Sequence, residues 1–359
     1  MQQGAKVYVG LSGGVDSSVS AALLKDAGYD VTGVFIKVWT PDFLECTWRE
    51  DRRDAMRVCA ALGIPLLTLD LEKEYKEGVV DYMIAEYKAG RTPNPDVMCN
   101  REVKFGAFLR FARESGADFI ATGHYAQNIL NPDTGHYELW AGADSEKDQS
   151  YFLWTLKQAD LERVLFPVGH LKKSQVRLLA EKYALPTAAK KDSQGLCFLG
   201  KLDMKDFLMH FIPKEVGMVL DTRGREIGVH DGALFYTLGQ RHGFTTNAAV
   251  PLYVVGKDLQ RNMLTVAPEP RSPRSDLSEG ESFRLQEANW IDQTPTLGET
   301  YYARNRYRQE LFPCEIALSG EGVQVTMGEV ATLTPAGQSC VVYSKIAHGL
   351  LCLGGGIIV

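Results

Sequence analysis

The sequence predicts an α/β fold: an N-terminal doubly wound, Rossmann-like parallel sheet, followed by a small central domain and a C-terminal β-barrel. Three observations predict it. Short apolar runs alternate with amphipathic helical stretches from Lys6 to Ala121, the pattern of strands joined by crossover helices. Past residue 200 the helical signals fade, and Gly, Asp and Pro turns recur about every ten residues through Pro270. Short alternating runs then continue to the end of the chain, as in a small barrel or sandwich. A chain of 359 residues, at roughly 150 per domain, has room for two or three units with ample core. The expected divisions are 1–200, 201–270 and 271–359.

Taken in order, the run from Lys6 to Leu11 stops at Ser12, Gly13 and Gly14, and apolar residues at helical spacing follow from Val15 until Gly28 ends them. Strand, tight turn and helix are the reading. Val31 to Trp39 and Ile64 to Leu71 read as further strands, with helices from Asp51 to Leu62 and from Glu72 to Lys88. An amphipathic helix from Glu102 to Ser115 precedes a fourth buried strand from Phe119 to Ala121. Functional sites in such sheets lie beyond the C-terminal strand ends. Pro268 to Ser278 reads as a linker, and Val323 to Met327 and Cys340 to Tyr343 read as barrel strands.

Composition excludes several classes. A chain that is 45% hydrophobic and 23% charged is neither disordered nor fibrous. The longest apolar stretch, Leu350 to Val359, is short and broken by three glycines, so no membrane span is expected. The first residues lack a charged segment followed by an apolar one, which predicts a cytoplasmic protein. Seven cysteines without a CxxC pair argue against a disulfide scaffold and a four-thiolate zinc site, and no metal-ligand set is expected. The net charge of -6 means that any nucleic-acid partner must be held by a local basic face.

The loop Gly10, Leu11, Ser12, Gly13, Gly14, Val15, Asp16 and Ser17 joins the first strand to the first helix. Its glycines let main-chain amides approach a phosphate, and the helix N-terminus adds partial positive charge. A pyrophosphate site is the physical reading, with Asp16 facing the phosphates or a metal ion. The loop lacks the Gly-Lys-Ser/Thr ending of Walker loops and is not GxGxxG.

The string SGGVDSS resembles the PP-loop of the ATP pyrophosphatase superfamily, whose members cleave ATP to AMP and pyrophosphate while adenylating a substrate. The string from Gly90 to Asn100 (GRTPNPDVMCN), followed by Lys104 and Phe105, is similar to the signature of the tRNA-specific 2-thiouridylases. The blocks ATGHYA at 121–126, KDQSYFL at 147–153, KDSQGLCFLG at 191–200, TPAGQ at 334–338 and LGGG at 353–356 resemble further blocks of that family in the same order, with mild departures at Gln194, Leu196 and Ala336. The resemblance covers nearly the whole chain.

It implies an ATP-dependent sulfurtransferase that makes 2-thiouridine at the wobble position of tRNA, with ATP and Mg2+ as cofactors and a cysteine desulfurase or sulfur-relay protein as donor. Cys197 would carry a persulfide, and Cys99 would be its disulfide partner. On chemistry alone, Cys99 lies in a Pro-rich loop just before a helix, where a thiol pKa falls and polar neighbours suggest an accessible group. Cys197 follows Lys190 and Lys191, whose charges favour thiolate. Asp96 reads either as a general base or base-orienting group, or as a loop cap. Cys59, Cys314, Cys340 and Cys352 read as packed core residues, and Cys46 lies in a loop without an evident role.

Ile36 and Gly123, both at strand ends, are expected beside the adenosine. His124, Asn94, Pro95, Lys147, Asp148, Gln149, Arg306, Tyr307 and Gln338 are, by the resemblance, tRNA contacts. The segment YYARNRYR at 301–308 alternates Arg with aromatics; in a strand, Arg304, Arg306 and Arg308 would share one face as a basic stripe. Other readings stay open. A small-molecule PP-loop ligase would need no cysteines, a tRNA-binding module would need no turnover, and Asp96, Cys99 and Cys197 could together ligate an iron–sulfur cluster.

Overall fold

The computed structural model describes residues 4–44, 48–191, 203–248, 250–269, 282–319, 322–328, 335–347 and 349–359. Its N-terminal sheet is parallel throughout, with strands β1 (Lys6–Gly10), β2 (Asp30–Lys37), β3 (Leu66–Asp70), β4 (Phe119–Ala121) and β7 (Val164–Leu165) in the order β3-β2-β1-β4-β7. Helices cover both faces, which is why β1, β2 and β4 read as apolar runs without alternation. Val7, Val9 and Phe35 face the first helix, α1 (Val15–Asp26), and the second, α2 (Trp48–Leu62), while Tyr8, Val34 and Ile36 face the opposite core. The short β7, two residues long, escapes sequence reading. Strand order reverses between β1 and β4, opening a crevice above their C-terminal ends.

Two helical stretches expected as ordinary helices each contain a π-helical segment. One runs through 72–88 with Lys76–Asp81 wound as π-helix, and one through 95–114 with Cys99–Phe108 so wound. The second begins seven residues before the expected start at Glu102, because Asn94 caps it: its Oδ1 accepts from Val97 N at 3.2 Å, with Pro95 at the first helical position. The first ends in a Schellman motif, with Gly90 N donating to Tyr87 O at 2.9 Å and Arg91 N to Glu86 O at 2.9 Å. Gly90 has φ +78°, the left-handed conformation this stop requires.

The central sheet comprises β8 (Gly217–Leu220), β9 (Glu226–His230), β10 (Thr245–Thr246), β11 (Tyr253–Asp258) and β12 (Met263–Ala267), ordered β10-β9-β8-β12-β11. Only β8 and β12 pair in parallel. Next come β13 (Ser282–Trp290), β14 (Thr300–Arg304), β15 (Phe312–Ser319), β16 (Gly322–Met327), β17 (Ser339–Ile346) and β18 (Gly349–Ile358), which close into an antiparallel barrel through β13–β18 pairing. At the closure a Cβ on Gly354 would lie 2.0 Å from Asn289 O, so the glycine run serves the seam. The hairpin β5 (Ala126–Leu130) and β6 (Tyr137–Ala141) leaves the N-terminal sheet and extends the barrel at β18, where Leu139 opposes Cys352. Among the described residues no helix is long and apolar enough to cross a membrane.

The strand expected from Tyr301 to Arg308 ends at Arg304; Asn305 to Arg308 form a turn with Arg308 at φ +62°. The basic stripe therefore does not form. Arg304 turns inward and pairs with Asp148, the two side chains being 9% and 5% exposed. Asp148 Oδ1 also accepts from Gly142 N and Ser150 N, each at 3.0 Å, and Arg304 Nη2 donates to Tyr343 OH at 2.8 Å. Burial opposes the guanidinium charge, but Tyr343 and Asp148 outweigh it and hold the Arg304 pKa above its ordinary value.

Removing one partner of such a pair strands the other charge. Arg304→Met is expected to cost about 3 kcal/mol in urea unfolding, and the double variant Asp148→Leu/Arg304→Met to recover most of it; equal stability of Arg304→Met and wild type would refute this account. In the central domain, Lys205 and Lys214 hold Asp231 down at about 2, from 3.8. A depressed carboxylate stabilises the fold above the unfolded pKa and loses that contribution as pH falls through the folded one. Asp231→Asn should accordingly melt below wild type at pH 7, with the gap closing between about pH 4 and pH 2.

Candidate functional site

The loop after β1 sits at the crevice. Gly13 adopts φ +72°, and a Cβ there would lie 2.6 Å from Asp51 O, so only glycine fits. Ser17 Oγ donates to Gly14 O at 3.2 Å and accepts from Ser12 N at 3.3 Å, fixing the turn. The first amides of α1 have no intrahelical carbonyl to bond, which leaves them available to an anion. From the other side, a Cβ on Gly123 would lie 2.7 Å from Ser17 N, so the end of β4 packs directly on the loop. β1 stops opposite Val34, which leaves Ile36 beyond its end, and Ile36 is 8% exposed with its side chain in the core.

Asp16 is gripped. Lys173 Nζ lies 2.7 and 2.9 Å from its two oxygens, and Tyr125 OH donates to Oδ1 at 2.7 Å. Neither partner was anticipated. Lys173 opens a helix, Lys173–Lys182, far along the chain, and Tyr125 lies in the ATGHYA segment at 121–126; no spacing signal joins them to Asp16. Together they place an ammonium beside the amides of α1, a donor set suited to a nucleotide's phosphates.

The block 147–149, expected against tRNA, is half turned inward. Asp148 belongs to the buried pair with Arg304, and Gln149 Oε1 accepts from Tyr125 N at 3.0 Å while Gln149 N donates to Tyr125 O at 2.8 Å. Gln149 thus positions the residue that holds Asp16. Lys147 is half-exposed on the turn. His124, expected against tRNA, is 7% exposed: Thr122 Oγ1 lies 2.7 Å from Nδ1, and Phe166 stands edge-on at 6.0 Å. Burial and the nearby Lys104 push its pKa well below 6.5, so it is neutral at pH 7.

The segment before Asp96 is pinned by the barrel. Gln338 Nε2 donates to Thr92 O at 2.9 Å and Pro93 O at 3.2 Å, and Thr92 N donates to Ala336 O at 2.8 Å. Asn94 and Pro95 start the helix, Asp96 is half-buried in its first turn, and Asn100 Nδ2 donates to Phe152 O at 3.1 Å. Cys99 lies one turn into this helix and not in a loop before it; it is 1% exposed among Val97, Met98 and Val103. Of the polar neighbours that suggest an accessible thiol, Asp96 is half-buried, while Asn100 is 2% exposed and turned to Phe152 O, so neither exposes the thiol. Arg306 is half-buried and donates to Leu238 O. Tyr307 packs on Phe152 at 4.7 Å with Arg308 5.1 Å over its ring.

Cys197 and Cys46 lie outside the described residues. Burial drives Cys59 up to about 11 and Cys314 and Cys352 to about 12, so these thiols are unreactive core groups. Cys340 is likewise raised and fully buried. Among the described residues no three His, Cys, Asp or Glu side chains cluster as a metal site. Tyr125→Phe, which removes one hydrogen bond to Asp16, is expected to weaken binding of a non-hydrolysable ATP analogue about fivefold without lowering the melting temperature; calorimetric titration measures it.

Three family models match in tandem: "tRNA methyl transferase HUP domain" over residues 5–201, "tRNA methyl transferase PRC-barrel domain" over 205–268 and "Aminomethyltransferase beta-barrel domain" over 280–358. The chain is similar along its length to tRNA-specific 2-thiouridylase MnmA 2 of Geobacillus kaustophilus, at 45% identity over 98% of this chain and 94% of the relative. It is 47% identical to tRNA-specific 2-thiouridylase MnmA of Shewanella amazonensis (98% and 94% covered) and of Escherichia coli (98% and 96% covered). A solved 4-thiouridine synthetase in complex with RNA and ATP is similar only distantly, at 22% identity over 55% of this chain and 46% of that one, with a TM-score of 0.38. Full-length identity at this level, across all three parts of the fold, makes this chain a member of the tRNA-specific 2-thiouridylase family.

Proposed function

We propose that the chain is an ATP-dependent sulfurtransferase that adenylates O2 of the wobble uridine of tRNA and replaces that oxygen with sulfur from a cysteine persulfide, giving 2-thiouridine. The observation that carries the reading is that one three-part chain, similar along its length to 2-thiouridylases, holds both a phosphate-type loop with Lys173 beside it and the helix bearing Asp96 and Cys99.

A C2 carbonyl oxygen is a poor leaving group, so it must be activated. ATP on the loop Gly10–Ser17 would present its α-phosphorus to uridine O2; the new P–O bond forms as the α–β bond breaks, and pyrophosphate leaves. The α1 amides and Lys173 stabilise the charge that develops there. Magnesium is expected to arrive on the nucleotide phosphates, because the Asp16 oxygens already hold Lys173. The terminal sulfur of a Cys197 persulfide, loaded by a cysteine desulfurase or relay protein, would attack C2, and AMP would depart with the former O2. Attack by the Cys99 thiolate on the Cys197 sulfur then breaks the S–S bond, leaves sulfur on C2 and joins the two cysteines as a disulfide, which an external thiol reduces. Asp96, in the first helical turn, would orient the base or take the uridine N3 proton.

The tRNA contact differs from a flat basic stripe. Tyr307, packed on Phe152 and covered by Arg308, offers an aromatic platform for an unstacked base, and Arg306 lies beside it. The test is nucleoside mass spectrometry of unmodified tRNA after incubation with anaerobically purified protein, ATP, magnesium and a cysteine desulfurase with its cysteine substrate as sulfur donor, with iron assayed on the same sample. 2-Thiouridine without bound iron supports the persulfide route; stoichiometric iron would replace it with a cluster held by Asp96, Cys99 and Cys197. A methylated uridine, or ATP cleavage only on adding a small metabolite, would overturn the reading. Cys197→Ser is expected to abolish thiolation and leave ATP affinity unchanged.

A further inference from the structure

Residues 90–93, which lead into Asn94 and the Asp96–Cys99 helix, are gripped from two sides. The barrel holds them through Ala336 and Gln338. The central domain holds them through β11 and the turn at 236–240, before β10: Lys257 Nζ donates to Gly90 O at 3.0 Å and to Tyr236 O at 2.8 Å, and Thr92 Oγ1 lies 3.1 Å from Thr237 Oγ1. Leu259 closes over Gly90, where a Cβ would be only 2.0 Å from its Cδ1. Lys257 is half-buried, and among the described residues no carboxylate pairs with it. Its ammonium sits at the C-terminal end of the helix over 72–88, where carbonyls are left over and the helix dipole is negative. Burial nonetheless pushes its pKa down to about 8. A half-buried lysine whose ammonium is bonded to two main-chain carbonyls, one of them that of Gly90, ties the location of Gly90 to the central domain.

We propose that Lys257 is a positioning residue: with Thr237 it fixes the 90–93 strap against the central domain while Gln338 fixes it against the barrel, so that these two attachments together set where Asp96 and Cys99 stand when tRNA binds. The proposal rests on the reading of Asp96 and Cys99 as residues of the thiolation chemistry. It adds that the central domain acts on that chemistry through one short segment. Lys257 touches neither nucleotide nor base; it acts through the main chain at Gly90. Substituting it should therefore change turnover and the response of the strap to tRNA, and leave ATP affinity alone.

The experiment compares the full-length wild type, Lys257→Met, Lys257→Arg and Thr237→Val by hydrogen–deuterium exchange over 90–100 with and without unmodified tRNA, and by single-turnover thiolation. In the wild type, tRNA is expected to slow exchange across 90–100 at least fivefold. Lys257→Met should lose most of that protection and about tenfold in the thiolation rate, with tRNA Kd and ATP KM within twofold of wild type. Lys257→Arg, which keeps charge and donors, should restore at least half of both. Thr237→Val, a change of matched shape, should show a smaller loss in the same direction and serves if Lys257→Met fails to fold. Undiminished protection in both Lys257→Met and Thr237→Val, or a loss of rate matched by an equal rise in tRNA Kd, would overturn the proposal. A wild type that makes no 2-thiouridine but shows the coupled protection would sink the chemical reading and leave the positioning role standing.

Discussion

The Asp148 carboxylate, almost dry and facing the Arg304 guanidinium, is the contact on which the arrangement of the parts depends. It lies on the turn that follows the β5–β6 hairpin, and that hairpin is already an edge of the barrel sheet. Its neighbour Gln149 fastens the main chain of Tyr125, Tyr125 holds Asp16, and Asp16 holds Lys173 at the mouth of the phosphate-type loop. A charge pair buried this deeply is seldom a net gain in stability, since desolvation offsets most of the attraction. What it does supply is geometry, because neither partner tolerates another position without leaving a naked charge.

The same physics separates the cysteines. Four of them sit in apolar surroundings that raise their pKa values far from neutrality, and they act as small hydrophobic groups. Cys99 is buried too, but on a helix that Asn94 caps, that carries Asp96 one turn earlier, and that bonds through the adjacent Asn100 to Phe152. A thiol reached only through the motion or seating of such a helix is shielded from adventitious oxidants. That shielding makes the attachments of the helix, on the strap of 90–93, as consequential as the thiol itself.

The three parts of the molecule also share one core. Side chains from the parallel sheet, the central domain and barrel residues Val341, Tyr343, Cys352 and Ile357 form a continuous apolar cluster. Interfaces of this kind resemble a domain interior more than a transient contact, so the parts are expected to move little as rigid bodies. Adjustment on binding tRNA would then fall to short segments held by polar bonds, of which the strap is the best defined.

Much of this was legible in the sequence, and for identifiable reasons. Apolar runs with glycine stops marked β1, β2 and β4, since parallel strands buried on both faces leave no choice of residue; the loop at Gly13 and Gly14 was legible because only glycine tolerates its backbone. The family blocks offer Asp96, Cys99 and Cys197 as candidates by order along the chain, and Cys197 lies outside the described residues. Tertiary structure alone decided which side chains face inward. Arg304, read as part of an exposed stripe, became a buried ion pair because its partner Asp148 lies 156 residues away. His124 and Cys99 went into the core because helix and strand neighbours covered them, and Lys173, Tyr125 and Lys257 gained their places by contacts that no local pattern records. Periodicity reports which face of an element is apolar; which distant polar group it will meet is settled only when the elements pack.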